Sequence, residues 1–352
     1  MKKLFLLIAL GGVMPAFQSR VLAQEAPTFA AVPTATAPFK WRLRLKAGQK
    51  WITTTETSTQ NSQQMPTMPD TKAGALPTMD NVSKSRTVIE QNVLSNDDEG
   101  ARVEMIYREI TQDTRMTQGD KVIYDSKTAP ETLGKLTDLF KALEGTCISY
   151  RLSNQGQVSD VQGVEAYLER FKAALDTATQ TTPGLSKFSA QVGAFLSPEA
   201  IKNSLGDLYR TLPTTPIALG ESWKYNFTKP VMGTTLTQNG QNTLTSRQNE
   251  VVTIAQSGEF STDGGAQIKI PLPTMGDDKA PAPISQLDLG GTLNGEITID
   301  ERSGLILRSH ATQNLEGELV MSGAMGRGSR MSIPMKMTVE MESTTQEIKS
   351  AP

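Results

Sequence analysis

One histidine and one cysteine among 352 residues set the first bound on the chemistry this chain could do. His310 lies in Leu305-Ile-Leu-Arg-Ser-His-Ala, on the alternating face it shares with Ile306 and Arg308. A single imidazole cannot build a histidine-rich metal site, and no His-Glu-x-x-His pattern is present. Cys147 lies in Thr-Cys-Ile-Ser-Tyr, opposite Ile148 and Tyr150 on its strand. A catalytic thiol needs a base beside it and a lowered pKa, so a covered, passive thiol is expected. No Gly-x-Ser-x-Gly elbow supports a serine hydrolase. Gly323, Gly326 and Gly328 fall in a hairpin loop rather than before a helix, and do not match a phosphate-binding fingerprint. Tyr124-Asp125-Ser126 reads as a polar turn ahead of a helix. The acidic run Asn96-Asp-Asp-Glu-Gly100 lacks the spaced oxygen ligands of a calcium loop and reads as a hairpin turn. Glycosidase carboxylates need only meet in space, so a carboxylate-dependent hydrolase remains the enzymatic alternative. With no local nucleophile–base pair, the expectation is no enzyme, no cofactor and no metal.

Methionine is what the chain has in unusual company. In the stretch 331–341, Met331, Ile333, Met335, Met337, Val339 and Met341 alternate with Ser332, Pro334, Lys336, Thr338 and Glu340. A period of two puts the apolar set on one face of a half-buried antiparallel strand. Thioether side chains are flexible and polarizable, and they specify a tight core less well than Val or Ile. Met335, Met337 and Met341, with Trp223 and Tyr225 from a separate strand, are therefore expected to line an apolar cavity that holds a lipid or similar molecule. The competing expectation is a sealed core under helices at Leu133–Leu143 and Val164–Leu175. Pro66-Thr-Met68, Pro77-Thr-Met79 and Pro273-Thr-Met275 recur in predicted loops, where Met could also meet a protein partner.

These residues need a compartment and a frame. Met1-Lys-Lys3, the apolar run from Leu4 and the small residues Val21-Leu-Ala23 read as a secretory signal peptide over residues 1–23. Its removal takes Lys2, Lys3 and Arg20 and no acid, shifting the net charge from −2 to −5. A mildly acidic chain offers no general field for nucleic acid. No later stretch reaches transmembrane-helix length. The expected location is periplasmic or extracellular. A lone Cys allows no disulfide within the chain.

Residues 24–38, rich in Ala, Pro and Thr, are expected to be a flexible linker. From Phe39, Trp41, Leu43 and Leu45 alternate with basic residues and read as a first strand, followed by a second at Trp51–Thr59. A long loop is expected over 60–82, then strands at Ser83–Leu94 and Ala101–Thr111. The middle changes period: a capping box at Thr128–Glu131 opens a helix, a strand carries Ile148, Tyr150 and Leu152, and Val164, Tyr167, Phe171 and Leu175 mark a second helix. A third is expected at Phe188–Leu196, and a fourth behind Ser197-Pro198. Trp223, Tyr225 and Phe227 share a strand face. Further strands are expected at 231–238, 243–256, 259–270, 286–300, 304–321 and 330–343, with a break at 273–285. The two Gly-x-x-Trp approaches, Gly48 to Trp51 and Gly220 to Trp223, hint at two β halves.

In chain order, Leu45-Lys-Ala-Gly48-Gln-Lys-Trp51, Tyr124-Asp125-Ser126, Gly156-Gln-Val158, Pro216-Ile-Ala-Leu-Gly220-Glu-Ser-Trp223 and the Asp300-x-x-x-Gly304 turn resemble an uncharacterised family of exported bacterial proteins, a domain of unknown function. The resemblance implies no activity or catalytic residue. More distantly, the expected frame is similar to lipoprotein-carrier-like periplasmic folds, in which an open half-barrel holds acyl chains. The predicted fold is α+β: a curved antiparallel β-sheet or open half-barrel with several helices packed on it. Residues 39–350 form one domain, with β halves 39–160 and 213–345 around a helical segment 161–210. The alternative is two smaller β domains. The expected function is a non-catalytic envelope protein that binds a lipid or other apolar molecule. A structural or protein-interaction module of the envelope is the second alternative.

Overall fold

The protein is described by a computed structural model over residues 37–64, 78–128, 140–181, 198–207, 209–231, 234–262, 267–268, 284–322 and 330–348. The expected signal peptide, most of the linker, the third helix, the bulk of the first, all but the last two residues of the break at 273–285 and the glycine-rich loop lie outside these residues. Of the described residues, 67% are strand and 11% helix. The expected α+β class with several helices is therefore wrong: the chain is a β-protein with two α-helices among the described residues, α1 (Val164–Thr181) and α2 (Pro198–Gly206), and one 3-10 turn at Tyr209–Thr211.

The strands run in chain order as β1 (Lys50–Gln64), β2 (Thr78–Asp97), β3 (Gly100–Gln118), β4 (Lys121–Asp125), β5 (Cys147–Leu152), β6 (Val158–Gln162), β7 (Ser222–Val231), β8 (Thr234–Gln248), β9 (Val251–Thr262), β10 (Gln267–Ile268), β11 (Ile284–Asp300), β12 (Ile306–Ser322) and β13 (Arg330–Glu347). They form one sheet in the order β6-β5-β3-β2-β1-β13-β12-β11-β9-β8-β7, with β4 beside β3 and β10 beside β11. This is an up-and-down meander whose first and last strands pair at its middle, Thr57 opposite Met341. The helical segment connects the two outer strands, β6 and β7.

Several strands are longer than their apolar patterns predict. Both ends of the expected loop at 60–82 are strand, because β1 runs to Gln64 and β2 begins at Thr78; residues 65–77 lie outside the described residues. Hydrogen bonding to long neighbours extends polar strand ends that periodicity alone reads as loop. The expected turns inside 238–259 are also misplaced. The β8–β9 turn is Asn249-Glu250, both with positive φ (53° and 61°), as a two-residue hairpin requires. Gly240 and Gly258 instead face each other within the strands.

Residues 40–48 are not a strand, although Trp41, Leu43 and Leu45 are buried as expected. They form a strap. Leu43 N–H donates to the Asn154 carbonyl (2.9 Å), and the next residue, Arg44, donates to the Ser303 carbonyl (2.7 Å). Asn154 follows β5 and Ser303 precedes β12, five strands apart in the sheet. At ~4.8 Å per strand a flat sheet would separate them by about 24 Å. Two consecutive residues reach only about 10 Å with their hydrogen bonds, so the sheet must curl until this end closes. The Trp41 indole donates to the Gly304 carbonyl (3.0 Å) and stacks on Tyr209 (5.8 Å).

The closed end holds the main core. Val103, Ile148, Val164, Val252, Ile254, Ile297 and Ile299 are fully buried there, with Tyr167, Phe171 and Leu175 of α1. That helix presents one stripe to the sheet, as its spacing predicts.

Candidate functional site

The inward face continues beyond this core along β11, β12 and β13. Direct cross-strand partners share a face, so the register places each side chain. Met337 stands between Leu315 and Asn61, Met335 between Gly317 and Gln63, and Met341 between Ala311 and Thr57. Met337 packs on a cluster of Leu236, Phe260, Leu293, Ala311 and Leu315, and Met335 packs on Leu287 and Leu289. These two methionines are half-buried, whereas Met341 is wholly buried. None of the three joins the core sealed by α1.

On the far side of the sheet, Tyr225, Gly240, Gly258 and Leu293 form one cross-strand row. A groove of about 790 Å³ follows this row, but most of its lining comes from polar residues of the two flanking rows on the outward face, among them Lys224, Asn239, Ser257, Glu259 and Asn294. The Tyr225 ring lies where a side chain at Gly240 would stand, so this position accepts only glycine without moving the ring. Its hydroxyl accepts a hydrogen bond from Gln238 Nε2 (2.9 Å), and its ring stacks on Phe227. Burial pushes the Tyr225 phenol above its ordinary range. Leu293 belongs both to this groove and to the cluster under Met337. Trp223 sits elsewhere, packed on the main core with its indole N–H on the Thr211 carbonyl (2.8 Å). Of the five residues expected to line a cavity, Met337 packs on the cluster around Leu315, Met335 packs on Leu287 and Leu289, and Tyr225 lies over Gly240 beside Phe227. Trp223 and Met341 are separate core positions.

The opposing wall was not foreseen. It consists of Asn61 and Gln63 of β1, Met79 and Asn81 of β2, and Met116 of β3, all buried. Beyond Trp51 the inward positions of β1 are polar and carry no apolar period to detect, and Met79 falls within the stretch expected to be a loop. The Pro66 and Pro273 repeats of that motif lie outside the described residues.

The chemically competent side chains face outward. Glu296, His310, Glu342, Glu56 and Arg86 are successive partners in one row across β11, β12, β13, β1 and β2. Desolvation raises the Glu342 carboxyl, against the pull of Arg308 3.2 Å away. Glu56 and Glu342 therefore supply the facing carboxylates that sequence could not nominate. They stand on the outer surface of a sheet, in none of the grooves described. Cys147 is exposed rather than covered as expected. Desolvation and the neighbouring Glu104 carboxylate push its thiol up to about 11, which keeps it protonated and passive near neutral pH. Asp125 Oδ1 accepts from Lys127 N–H and Ser126 Oγ from Thr114 N–H, which is turn chemistry. Among the described residues no group of His, Cys, Asp and Glu could hold a metal. None of their helices is long and apolar enough to cross a membrane. The outward strand face carries ion pairs such as Glu316–Lys336 and Arg86–Glu109, the reverse of the apolar band on a membrane barrel.

A family model described as "Family of unknown function (DUF6263)" matches residues 98–306, more than half of the chain. No curated protein matches. Among solved structures, the chain is similar to lipovitellin, in a structure concerned with its lipid–protein interactions: TM-score 0.40, 10% identity, covering 88% of this chain and 26% of that one. An outer membrane channel from Pseudomonas putida F1 gives a TM-score of 0.21 at 6% identity, covering 86% and 97% of the two chains. The chain spans about a quarter of the lipovitellin chain, and similarities this low carry no functional argument.

Proposed function

The chain belongs to the family of unknown function DUF6263, and from that premise we propose that it is an exported, non-catalytic protein that holds an apolar molecule inside its curled sheet. The reading is carried by the contrast between the two ends of the inward face. At the strapped end the apolar side chains are sealed. Farther along, Met335 and Met337 stay half-exposed beside buried Leu287, Leu289, Leu293 and Leu315. Leaving Met surface partly open inside a curled sheet forgoes burial worth ~25 cal/mol per Å², unless a ligand covers it. Flexible thioethers suit such a contact. Export is supported by the pattern of residues 1–23 read as a signal peptide, and the absence of catalysis by carboxylates, His and Cys that face outward or are passive.

Binding of the uncharged fluorescent probe N-phenyl-1-naphthylamine tests the reading. Saturable one-to-one binding with blue-shifted emission is expected. Met337→Trp, which fills the space beside Leu315, should weaken it at least tenfold without lowering Tm. Absence of saturable binding, or binding indifferent to Met337→Trp, would contradict the proposal.

A further inference from the structure

Asn61 and Asn81 stand directly opposite each other on β1 and β2, in the inward row Met337–Asn61–Asn81–Met116. They are only 8% and 4% exposed, and the Oδ1 of each lacks a hydrogen-bond partner. Two adjacent buried acceptors without donors, among methionines, are unfavourable unless something donates to them. The neighbouring inward positions are Met335, Gln63 and Met79 on one side and Val339, Thr59 and Ser83 on the other. None of these is charged. An ammonium head would find no carboxylate in this wall, and a phosphate or carboxylate head would find no cation.

Resting on the interior-binding reading, we propose that Asn61 and Asn81 are the recognition point for the head of a neutral amphiphile. The ligand class is an acyl chain ending in two hydroxyl donors. Residues paired this way have Cβ atoms about 5 Å apart, close enough for two hydroxyls on adjacent carbons each to reach one Oδ1. The chain would lie along Met335, Met337 and Leu315, and each hydroxyl would donate to one Oδ1. Leucine at both positions would keep the volume and remove the acceptors.

The test compares displacement of N-phenyl-1-naphthylamine by 1-monopalmitoylglycerol and by methyl palmitate, which has the chain but no donor. The wild type should prefer the monoacylglycerol at least tenfold. Asn61→Leu/Asn81→Leu should lose that preference while keeping its affinity for methyl palmitate. If the double variant does not fold, Asn81→Thr should show a reduced preference at unchanged methyl palmitate affinity. Equal displacement by both lipids in the wild type would overturn the recognition point and leave the interior site standing. Failure of the dye itself to bind would overturn both.

Discussion

Met337 and Met341 sit two turns of the pleat apart on one strand face, yet they should respond differently to truncation. Met341 is wholly buried between Ala311 and Thr57. Met341→Ala should therefore destabilise by roughly 2–5 kcal/mol, through lost burial and the cavity left behind. Met337 is half-buried, so Met337→Ala should cost only about 1 kcal/mol. Urea unfolding of both variants distinguishes this from a uniformly sealed face, in which the two losses would be alike. The alternation of 331–341 was legible because each apolar residue had a polar neighbour. Which methionines are open was not legible, because exposure depends on strands β11 and β12 brought alongside.

At the scale of elements, the strap and the β11–β12 turn hold the curl. Gly304 has φ of +76°, and a side chain there would run into the Arg42 carbonyl. Gly304→Ala should destabilise by roughly 1–3 kcal/mol, read by thermal or urea unfolding. Asp300 braces the same turn by accepting from Ser303 N–H (3.1 Å) and Oγ–H (2.5 Å). Desolvation pushes its carboxyl up, but these bonds, with the Arg302 contributions, outweigh it and hold the pKa below the ordinary carboxylate value. A depressed folded pKa gives stability that is present above about pH 4 and is lost as pH falls through the folded value. The stability gap between wild type and Asp300→Asn should thus narrow below about pH 4; a gap independent of pH would contradict this role. The strap shows why some elements escape sequence reading. Trp41, Leu43 and Leu45 alternate like a strand, and their burial was foreseen, but the Leu43 and Arg44 amides bond to two turns rather than to a neighbouring strand.

The whole molecule is a meander whose terminal strands β1 and β13 pair at its centre and whose outer strands are connected by helices. Local periodicity announced most strands and α1. The pairing of β1 with β13 joins residues nearly the length of the chain apart, and no local pattern encodes it. The polar inward face of β1, including Asn61, was hidden for the same reason: its burial exists only once the sheet curls. What the curl encloses decides the function. Native mass spectrometry of the full-length protein, purified without detergent, asks this directly. The account predicts a one-to-one adduct of a small apolar molecule, released on collisional activation and absent from Met337→Trp. A bare chain mass, together with a loss of several kcal/mol on Met337→Ala, would make the methionine face simply core and contradict it.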